Sequence, residues 1–201
     1  MRDRNYLMYK VYLAEASVEV ESNEELYRYV RAMSPAIIDH SKGVAKIALL
    51  MGMELKLKKK DIIRLGMAGL VHDVGKIFIS SLILYKDGNL TDEEFEVIKE
   101  HPNVGAKLLE RLGIDPLVVE MTAQHHERLD GNGYPYHLEK DEIGYLSQIL
   151  SLADIYDALR HKRCYKAELS GKEAIEELRN TNGLNPQLVN TLEELVNKYR
   201  L

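Results

Sequence analysis

Apolar residues follow a helical rhythm along most of this 201-residue chain. From about Glu24 onward they recur three or four positions apart, which is the spacing of one face of an α-helix. Turn-forming residues interrupt this pattern at 87–89, at Gly113, at 130–135 and at 182–183. The pattern therefore predicts an all-α fold.

Individual helices can be placed from the same pattern. One helix is predicted from about Ala36 to Met51, and the next from about Lys58 to Val71. Thr91 is a favourable N-cap for another helix, because acidic residues follow it in the first turn. Pro102 lies in a further helical pattern and must either kink that helix or start a new one.

The segment 6–21 does not fit one structure unambiguously. A dense apolar run leads into the alternation Val-Glu-Val-Glu at 18–21. Alternation is typical of a strand, whereas the apolar run suits a leading helix, and both interpretations stay open. We expect residues 1–30 to form an N-terminal appendage, either a linker or an element of a homodimer, and residues 31–201 to form the main domain.

Composition excludes several classes of protein. The formal net charge is −5, so a broad electrostatic contact with a nucleic-acid polymer is not expected. The single cysteine, Cys164, excludes an intrachain disulfide and suits a reducing compartment. The sequence contains neither an apolar run long enough to span a membrane nor the layout of a signal peptide, so a cytoplasmic location is expected.

Chemically active side chains lie on helix faces that are otherwise apolar. His40 lies in line with aliphatic residues of the first predicted helix, and the second helix leads into the sequence His-Asp-Val-Gly-Lys at 72–76. Gly75 is expected to end that helix and leave Lys76 free to reach an anion. Taken singly, His40 would be interpreted as an ordinary core histidine.

Further along the chain, His101 and Asp154 also share apolar stripes, and His125 and His126 form an adjacent pair. A carboxylate on a buried face is costly unless a cation or several donors contact it. Because such faces converge on one core in a helical domain, we expect a shared metal site. Imidazole and carboxylate ligands without thiolate favour iron, manganese or zinc, and a bridging carboxylate would favour two ions.

With these residues in place, the chain resembles the HD-GYP family, a branch of the HD-domain metal-dependent phosphohydrolases. The resemblance rests on His40, on HDVGK at 72–76, on His101 and on HHERLDGNGYP at 125–135, followed by SLADIYDALRHKRCY at 151–165. It implies an HD-domain helical bundle with C-terminal HD-GYP helices. It also implies hydrolysis of cyclic di-GMP to pGpG, with further cleavage to GMP in many members, through a hydroxide shared by two metal ions.

The resemblance also assigns roles to individual residues. The ligands implied for one ion are His40, His72, Asp73 and Asp154, and those for a second ion are Asp73, His101, His125 and His126. Asp73 bridges the two ions, which are iron or manganese. Asp73 and Lys76 carry the catalysis, and the residues implied for substrate binding are Lys76, Arg163, Lys166 and Tyr134.

Other residues around these motifs have less certain roles. Asp157, one turn beyond Asp154, is expected either to support a metal ligand or to be purely structural. Glu127 is expected either to accept a hydrogen bond from a histidine or to lie in solvent. The loop at 130–135 is implied to serve substrate access or a signalling partner.

Three departures from the family pattern bear on function. Ala36 stands where some members have a glutamate for a third metal ion, so two ions are expected. Arg160 and His161 replace the usual small or hydroxyl residues, and Cys164 replaces a proline. The alternatives are therefore a non-catalytic sensor or scaffold, or a phosphodiesterase for another cyclic dinucleotide such as cyclic GMP-AMP.

Overall fold

The computed structural model describes residues 4–161 and 169–201. The α-helices in these ranges are α1 (Arg4–Ser22), α2 (Glu24–Ala32), α3 (Pro35–Glu54), α4 (Lys59–Val71), α5 (Ser81–Leu84), α6 (Asp92–Lys99), α7 (His101–Arg111), α8 (Pro116–Gln124), α9 (Tyr145–Arg160), α10 (Gly171–Asn180) and α11 (Pro186–Tyr199). Two short 3-10 helices lie at Val74–Phe78 and Lys140–Glu142. No strand occurs within these described ranges, which confirms the all-α prediction.

The core is built around α3, α4 and α9. Helices α3 and α4 pack along each other, α9 packs against both, and α7, α8, α10 and α11 close the remaining sides. Leu49, Leu50, Leu65 and Ile149 are among the fully buried side chains at its centre. The predicted helices at 36–51 and 58–71 are confirmed as α3 and α4.

Residues 6–21 belong to α1, so the helical interpretation of this segment is the correct one. Tyr6, Tyr9, Ala16 and Val20 lie on the inner face of α1 and join the core beside α3 and α4. Their spacing of three, seven and four residues is helical, and this burial outweighs the short alternation at 18–21. The boundary expected near residue 30 falls within α2 and stays a prediction.

One predicted helix start is also confirmed, and the alternative left open at Pro102 is decided. Thr91 caps α6 through a capping box, in which the Glu94 N–H donates to Thr91 Oγ1 at 3.2 Å and the Thr91 N–H donates to Glu94 Oε2 at 2.8 Å. Pro102 starts a new helix rather than kinking one, because α6 ends at Lys99 and the proline lies in the first turn of α7. A proline is tolerated there because the first N–H groups of a helix have no partner within it.

Gly75 does not end α4, contrary to the sequence prediction. Helix α4 already ends at Val71, and Gly75 lies inside the 3-10 helix that follows. A Cβ at Gly75 would lie 2.0 Å from the carbonyl oxygen of His101 and 2.8 Å from the amide nitrogen of Gly105. The glycine therefore permits close approach of the 3-10 helix to the backbone of α7, which brings Asp73 and Lys76 towards His101.

None of the helices in the described ranges combines the length and apolarity that crossing a membrane would require.

We expect Gly75→Ala to lower the free energy of unfolding by about 2 kcal/mol or more, because the added methyl group meets rigid backbone. Gly144→Ala is a matched control, since the nearest atoms to its Cβ would all belong to side chains, namely the carboxyl group of the flexible Glu120 and Ser147 Oγ. We expect the control to lose less than about 1 kcal/mol. Urea unfolding of both variants measures the difference, and equal losses would contradict the proposed backbone contact.

Candidate metal centre

Three helix ends and the inner faces of two long helices bring the seven predicted ligands together. His72 caps the C-terminus of α4, Asp73 follows it, His101 begins α7, and His125 caps the C-terminus of α8. His40 comes from the second turn of α3, Asp154 from the middle of α9, and His126 follows His125. His72, Asp73, His101 and His125 are at most 1% exposed.

Short distances connect these side chains around the carboxylate of Asp73. Its Oδ1 lies 3.2 Å from His101 Nε2 and 3.9 Å from His125 Nε2, and its Oδ2 lies 3.6 Å from His72 Nε2. Asp154 Oδ1 lies 2.9 Å from His40 Nε2 and 3.8 Å from His72 Nε2. The ligand atoms therefore converge on the interior between α3, α4, α7, α8 and α9.

Among the described residues, three groups of side chains have ligand atoms within 4.8 Å of one another. They are His101 with His125 and His126, His40 with His72 and Asp73, and His72 with His125 and Asp154. The first two groups fall within the two ligand sets implied by the sequence resemblance. The third draws members from both sets, so the two halves of the centre overlap.

Backbone carbonyl groups orient three of the histidines. The Nδ1 atoms of His72, His101 and His125 lie 3.0, 2.7 and 2.7 Å from the carbonyl oxygens three residues earlier, at Gly69, Ile98 and Thr122. A carbonyl oxygen only accepts hydrogen bonds, so each Nδ1 carries the proton. Each Nε2 then presents its lone pair to the interior, which is the arrangement that metal-binding histidines need.

Carboxylates orient His40 instead. Its Nδ1 lies 2.7 Å from Asp157 Oδ2, and its Nε2 lies 2.9 Å from Asp154 Oδ1. Asp157 is 3% exposed and therefore supports a predicted ligand, which is one of the two roles expected for it. Although burial opposes the charged form, the two carboxylates raise the pKa of His40 to about 9.

The surroundings of the other titratable groups shift their pKa values towards the protonation states that bind metals. It lowers the pKa of His72 and of His125, and it lowers the pKa of His126 to about 3. Burial opposes ionisation of Asp73, yet the Lys76 ammonium and the neighbouring histidines hold the pKa of its carboxyl group well below the usual value. Neutral imidazoles and an ionised carboxylate are the forms that coordinate metals.

Two buried atoms of this group make no hydrogen bond in the described ranges, namely His72 Nε2 and Asp73 Oδ1. Oδ1 is close to His101 Nε2, but the contact lacks hydrogen-bond direction. Buried polar atoms without partners are costly, and divalent cations satisfy both nitrogen and oxygen donors. The donor set therefore fits divalent metal ions.

Lys76 lies against the same carboxylate. Its Nζ is 2.6 Å from Asp73 Oδ2, and the side chain faces the cavities beside the cluster. The ammonium balances the buried charge of Asp73 in this structure.

Two cavities of about 490 and 440 Å³ flank Lys76 and His40. The larger cavity is lined by His101, His126 and Asp154, and also by Phe95 and Tyr134. The smaller is lined by Asp39, Asp73 and Tyr85, together with Ala36. The ring of Tyr134 stacks on that of His126 with the centroids 4.6 Å apart, and its predicted contact with a substrate stays a prediction.

Glu127 has a role that neither sequence interpretation anticipated. It is 3% exposed, and its carboxylate accepts hydrogen bonds from the backbone N–H groups of Tyr136 at 2.7 Å and Leu138 at 3.1 Å. The glutamate therefore folds the glycine-rich loop back onto α8 rather than orienting a histidine or lying in solvent. Gly133 allows this return, because a Cβ there would lie 2.4 Å from the Glu127 Cα.

Arg128 is a cavity residue that the sequence analysis missed. Its Nη1 donates to the Glu127 carbonyl and to Ser151 Oγ, both at 2.8 Å, and it lines the larger cavity near Asp154. Within the described ranges no carboxylate lies within 4 Å of the guanidinium. In the sequence, its position directly after His-His-Glu was the feature that could have indicated its closeness to the metal centre. Arg163 and Lys166, the other predicted basic contacts, lie outside the described residues.

Comparison with known proteins gives a family and a fold. A family model described as HD domain matches residues 24–188. The cyclic di-GMP phosphodiesterase PA4108 of Pseudomonas aeruginosa is 36% identical, over 80% of this chain and 39% of its own length. The 3′3′-cGAMP-specific phosphodiesterase 3 of Vibrio cholerae is also 36% identical, over 74% of this chain and 32% of its own. The chain thus spans less than two fifths of these two relatives.

A solved structure has a similar fold. Bd1817, an HDG"Y"P protein from Bdellovibrio bacteriovorus, superposes with a TM-score of 0.69 at 21% sequence identity, and the match covers 96% of this chain and 63% of that one. This similarity supports the helical bundle implied by the sequence resemblance.

The charge of His40 predicts a pH dependence of stability in chelator-treated protein. Its folded pKa of about 9 exceeds the unfolded value of 6.5, so the stabilisation is complete below pH 6.5 and is lost as pH rises through 9. We expect the free energy of unfolding to fall by up to about 3 kcal/mol between pH 6.5 and 9.5 from this group. Urea unfolding at several pH values measures this fall, and the contribution of His40 should be absent in His40→Gln. An equal fall in the variant and the wild type would contradict the prediction.

Proposed function

Because this chain belongs to the HD-domain family, we propose that it is a metal-dependent phosphodiesterase that hydrolyses cyclic di-GMP to pGpG. The observation that carries the proposal is the buried cluster around Asp73, in which His72 approaches one oxygen of the carboxylate while His101 and His125 approach the other. The names of relatives such as the Pseudomonas phosphodiesterase support the substrate class. Further cleavage of pGpG to GMP belongs to the same proposal.

We assign two divalent ions, iron or manganese, to the centre. The ligands proposed for one are His40, His72, Asp73 and Asp154, and those for the other are Asp73, His101, His125 and His126. The three ligand groups are linked through His72 and His125, which supports two neighbouring ions. The two oxygens of Asp73 face His72 and His101, which supports a carboxylate shared by both ions. Ala36 lines the smaller cavity and offers no ligand atom for a third ion.

The ions would supply a nucleophilic hydroxide near neutral pH and neutralise charge on the substrate phosphate. The chain's own residues supply the rest. Asp73 holds the two halves of the centre together, and the backbone-anchored histidines keep their donors fixed on it. Lys76 is proposed to contact the scissile phosphate, because its flexible ammonium faces both cavities and can stabilise the charge that develops during the reaction.

The cavity walls support a substrate with flat apolar rings and negative charge. Phe95 and Tyr134 lie on one wall with ring centroids 6.4 Å apart, and Tyr85 lies in the neighbouring cavity. Aromatic side chains of this kind can stack on nucleobases. Arg128, and the proposed contacts Arg163 and Lys166, would add positive charge for the phosphates.

A second substrate, cyclic GMP-AMP, has specific support. The Vibrio relative named as specific for 3′3′-cGAMP is as similar to this chain as the Pseudomonas one. Comparison of kcat/KM for the two cyclic dinucleotides decides between them. Bound metal without turnover of either would favour the sensor or scaffold alternative.

Partners other than the substrate stay predictions. Tyr136, beside the glycine-rich loop, is 49% exposed. This exposure supports the proposed contact between the loop and a signalling protein. Leu7, Val11 and Val18 are exposed along α1, which supports the expected homodimer. A cytoplasmic location is likewise proposed.

The first test is to purify the protein without chelator, count metals per chain by elemental analysis, and follow cyclic di-GMP conversion by chromatography with iron(II) or manganese(II) supplied. We expect about two ions per chain and the appearance of pGpG. A chain that binds metal but cleaves no cyclic dinucleotide under reducing conditions would refute the proposed activity.

Variants of Asp73 and Lys76 should separate metal binding from catalysis. We expect Asp73→Ala to lose both metal and turnover, and Lys76→Met to keep its metal while kcat falls about 100-fold or more. Lys172→Met is the control, because it removes an exposed lysine on α10, away from the centre. Turnover by metal-free Asp73→Ala would contradict the mechanism.

A further inference from the structure

His161 is a cavity residue that the proposed metal centre does not use. It follows the last residue of α9, at the rim shared by the two cavities that flank Lys76 and His40. Its side chain is 59% exposed, so it is open to solvent as well as to the cavities. The sequence resemblance implies a small or hydroxyl residue here, so the imidazole is a departure from the usual family pattern.

Asp157 fixes the orientation of this imidazole. His161 Nδ1 lies 2.9 Å from the Asp157 carbonyl oxygen and 3.1 Å from Asp157 Oδ2. Since a carbonyl oxygen only accepts, Nδ1 carries a proton and donates it. Nε2 has no hydrogen-bond partner among the described residues, which leaves it available to exchange a proton with a ligand.

Asp157 links His161 to the centre without making it a ligand. The same Oδ2 atom lies 2.7 Å from His40 Nδ1, so one buried carboxylate contacts a proposed metal ligand on one side and His161 on the other. A carboxylate behind an imidazole holds its tautomer and its orientation. Histidines held in this way act as proton donors and acceptors in hydrolytic enzymes.

The reaction proposed above needs a proton donor for the leaving oxygen. Cleavage of a cyclic dinucleotide expels the 3′ oxygen of a ribose, and an alkoxide is a poor leaving group unless it is protonated as it departs. Lys76 contacts Asp73 at 2.6 Å, so its ammonium balances that carboxylate. His161 faces the same cavities from the opposite element, α9.

We propose that His161 is the general acid that protonates the leaving 3′ oxygen, a role that rests on the proposed phosphodiesterase function. Hydroxide forms a bond to phosphorus while the bond from phosphorus to the 3′ oxygen breaks, and that oxygen takes the proton from His161 Nε2. The neutral imidazole then regains a proton from water at the exposed rim. Asp157 keeps Nδ1 protonated throughout.

The charged and titratable groups that surround His161 come from several elements. Those lining the same cavities are Asp39 and His40 from α3, Asp73 and Lys76 after the end of α4, Tyr85 directly after α5, His101 from α7, His126, Arg128 and Tyr134 after α8, and Asp154 from α9. Lys46, Tyr156 and Arg160 line a third cavity on the other side of Asp157. Both signs of charge are present, so the test should not depend on a pH profile alone.

A substrate pair with different leaving groups provides that test. Protonation is essential for a ribose alkoxide, but 4-nitrophenolate leaves without it. We expect His161→Gln to lower kcat for the cyclic dinucleotide about 100-fold or more, while hydrolysis of bis(4-nitrophenyl) phosphate stays close to the wild-type rate. His137→Asn is the matched control, because His137 is exposed outside both cavities and its left-handed backbone is one that asparagine tolerates.

Metal content and the thermal unfolding midpoint of each variant are measured first, and both should match the wild type. Equal loss on both substrates would overturn the proposal, because it would indicate a role in binding or in the centre itself. No loss on the cyclic dinucleotide would overturn it as well. If the wild-type chain cleaves no cyclic dinucleotide at all, the proposed function fails and this proposal fails with it.

Discussion

A negative charge buried at the centre of the helical bundle is the constraint on which the structure depends. The Asp73 carboxylate is 1% exposed, and it is ionised although burial opposes its charge. Such a group must be surrounded by donors or cations, because an isolated buried charge would make the fold unstable. His72, His101, His125 and Lys76 meet this need, and the elements that carry them are arranged accordingly.

This requirement explains several features of the surrounding backbone. The chain changes from α-helix to 3-10 helix around Asp73, and Gly75 allows this segment to touch the start of α7. On the opposite side, Glu127 pins the glycine-rich loop back onto the end of α8, beside His126. Local irregularities thus cluster where the charged residues meet, whereas the long helices α3, α4 and α9 remain regular.

Much of this arrangement could be anticipated from the sequence, since helical spacing is a local property. The spacing identified α3 and α4, and Thr91 marked the start of α6, because caps and apolar stripes lie close together in the chain. The histidines on apolar stripes indicated a shared interior site for the same reason. The resemblance to a known family then supplied the ligand sets, which spacing alone did not give.

Features that depend on contacts between distant segments could not be anticipated. Gly75 looked like a helix terminator, because the neighbouring backbone of α7 is 26 residues away in the sequence at His101. Glu127 looked like a partner for a histidine, and only the folded loop shows that two backbone N–H groups donate hydrogen bonds to its carboxylate. Arg128 was passed over, and His161 was noted only as a departure from the family pattern, because a side chain's access to a cavity is visible only in three dimensions.

Anchoring of the histidines to backbone carbonyls has a consequence for selectivity. Because Nδ1 of His72, His101 and His125 is tied to the helix end that carries it, these imidazoles lose their rotational freedom when the protein folds. An ion that enters meets donors whose positions are already set, so little reorganisation accompanies its binding. The positions of these donor atoms can change only when a helix terminus moves. Ions whose size or preferred coordination number does not match these positions should therefore bind less tightly.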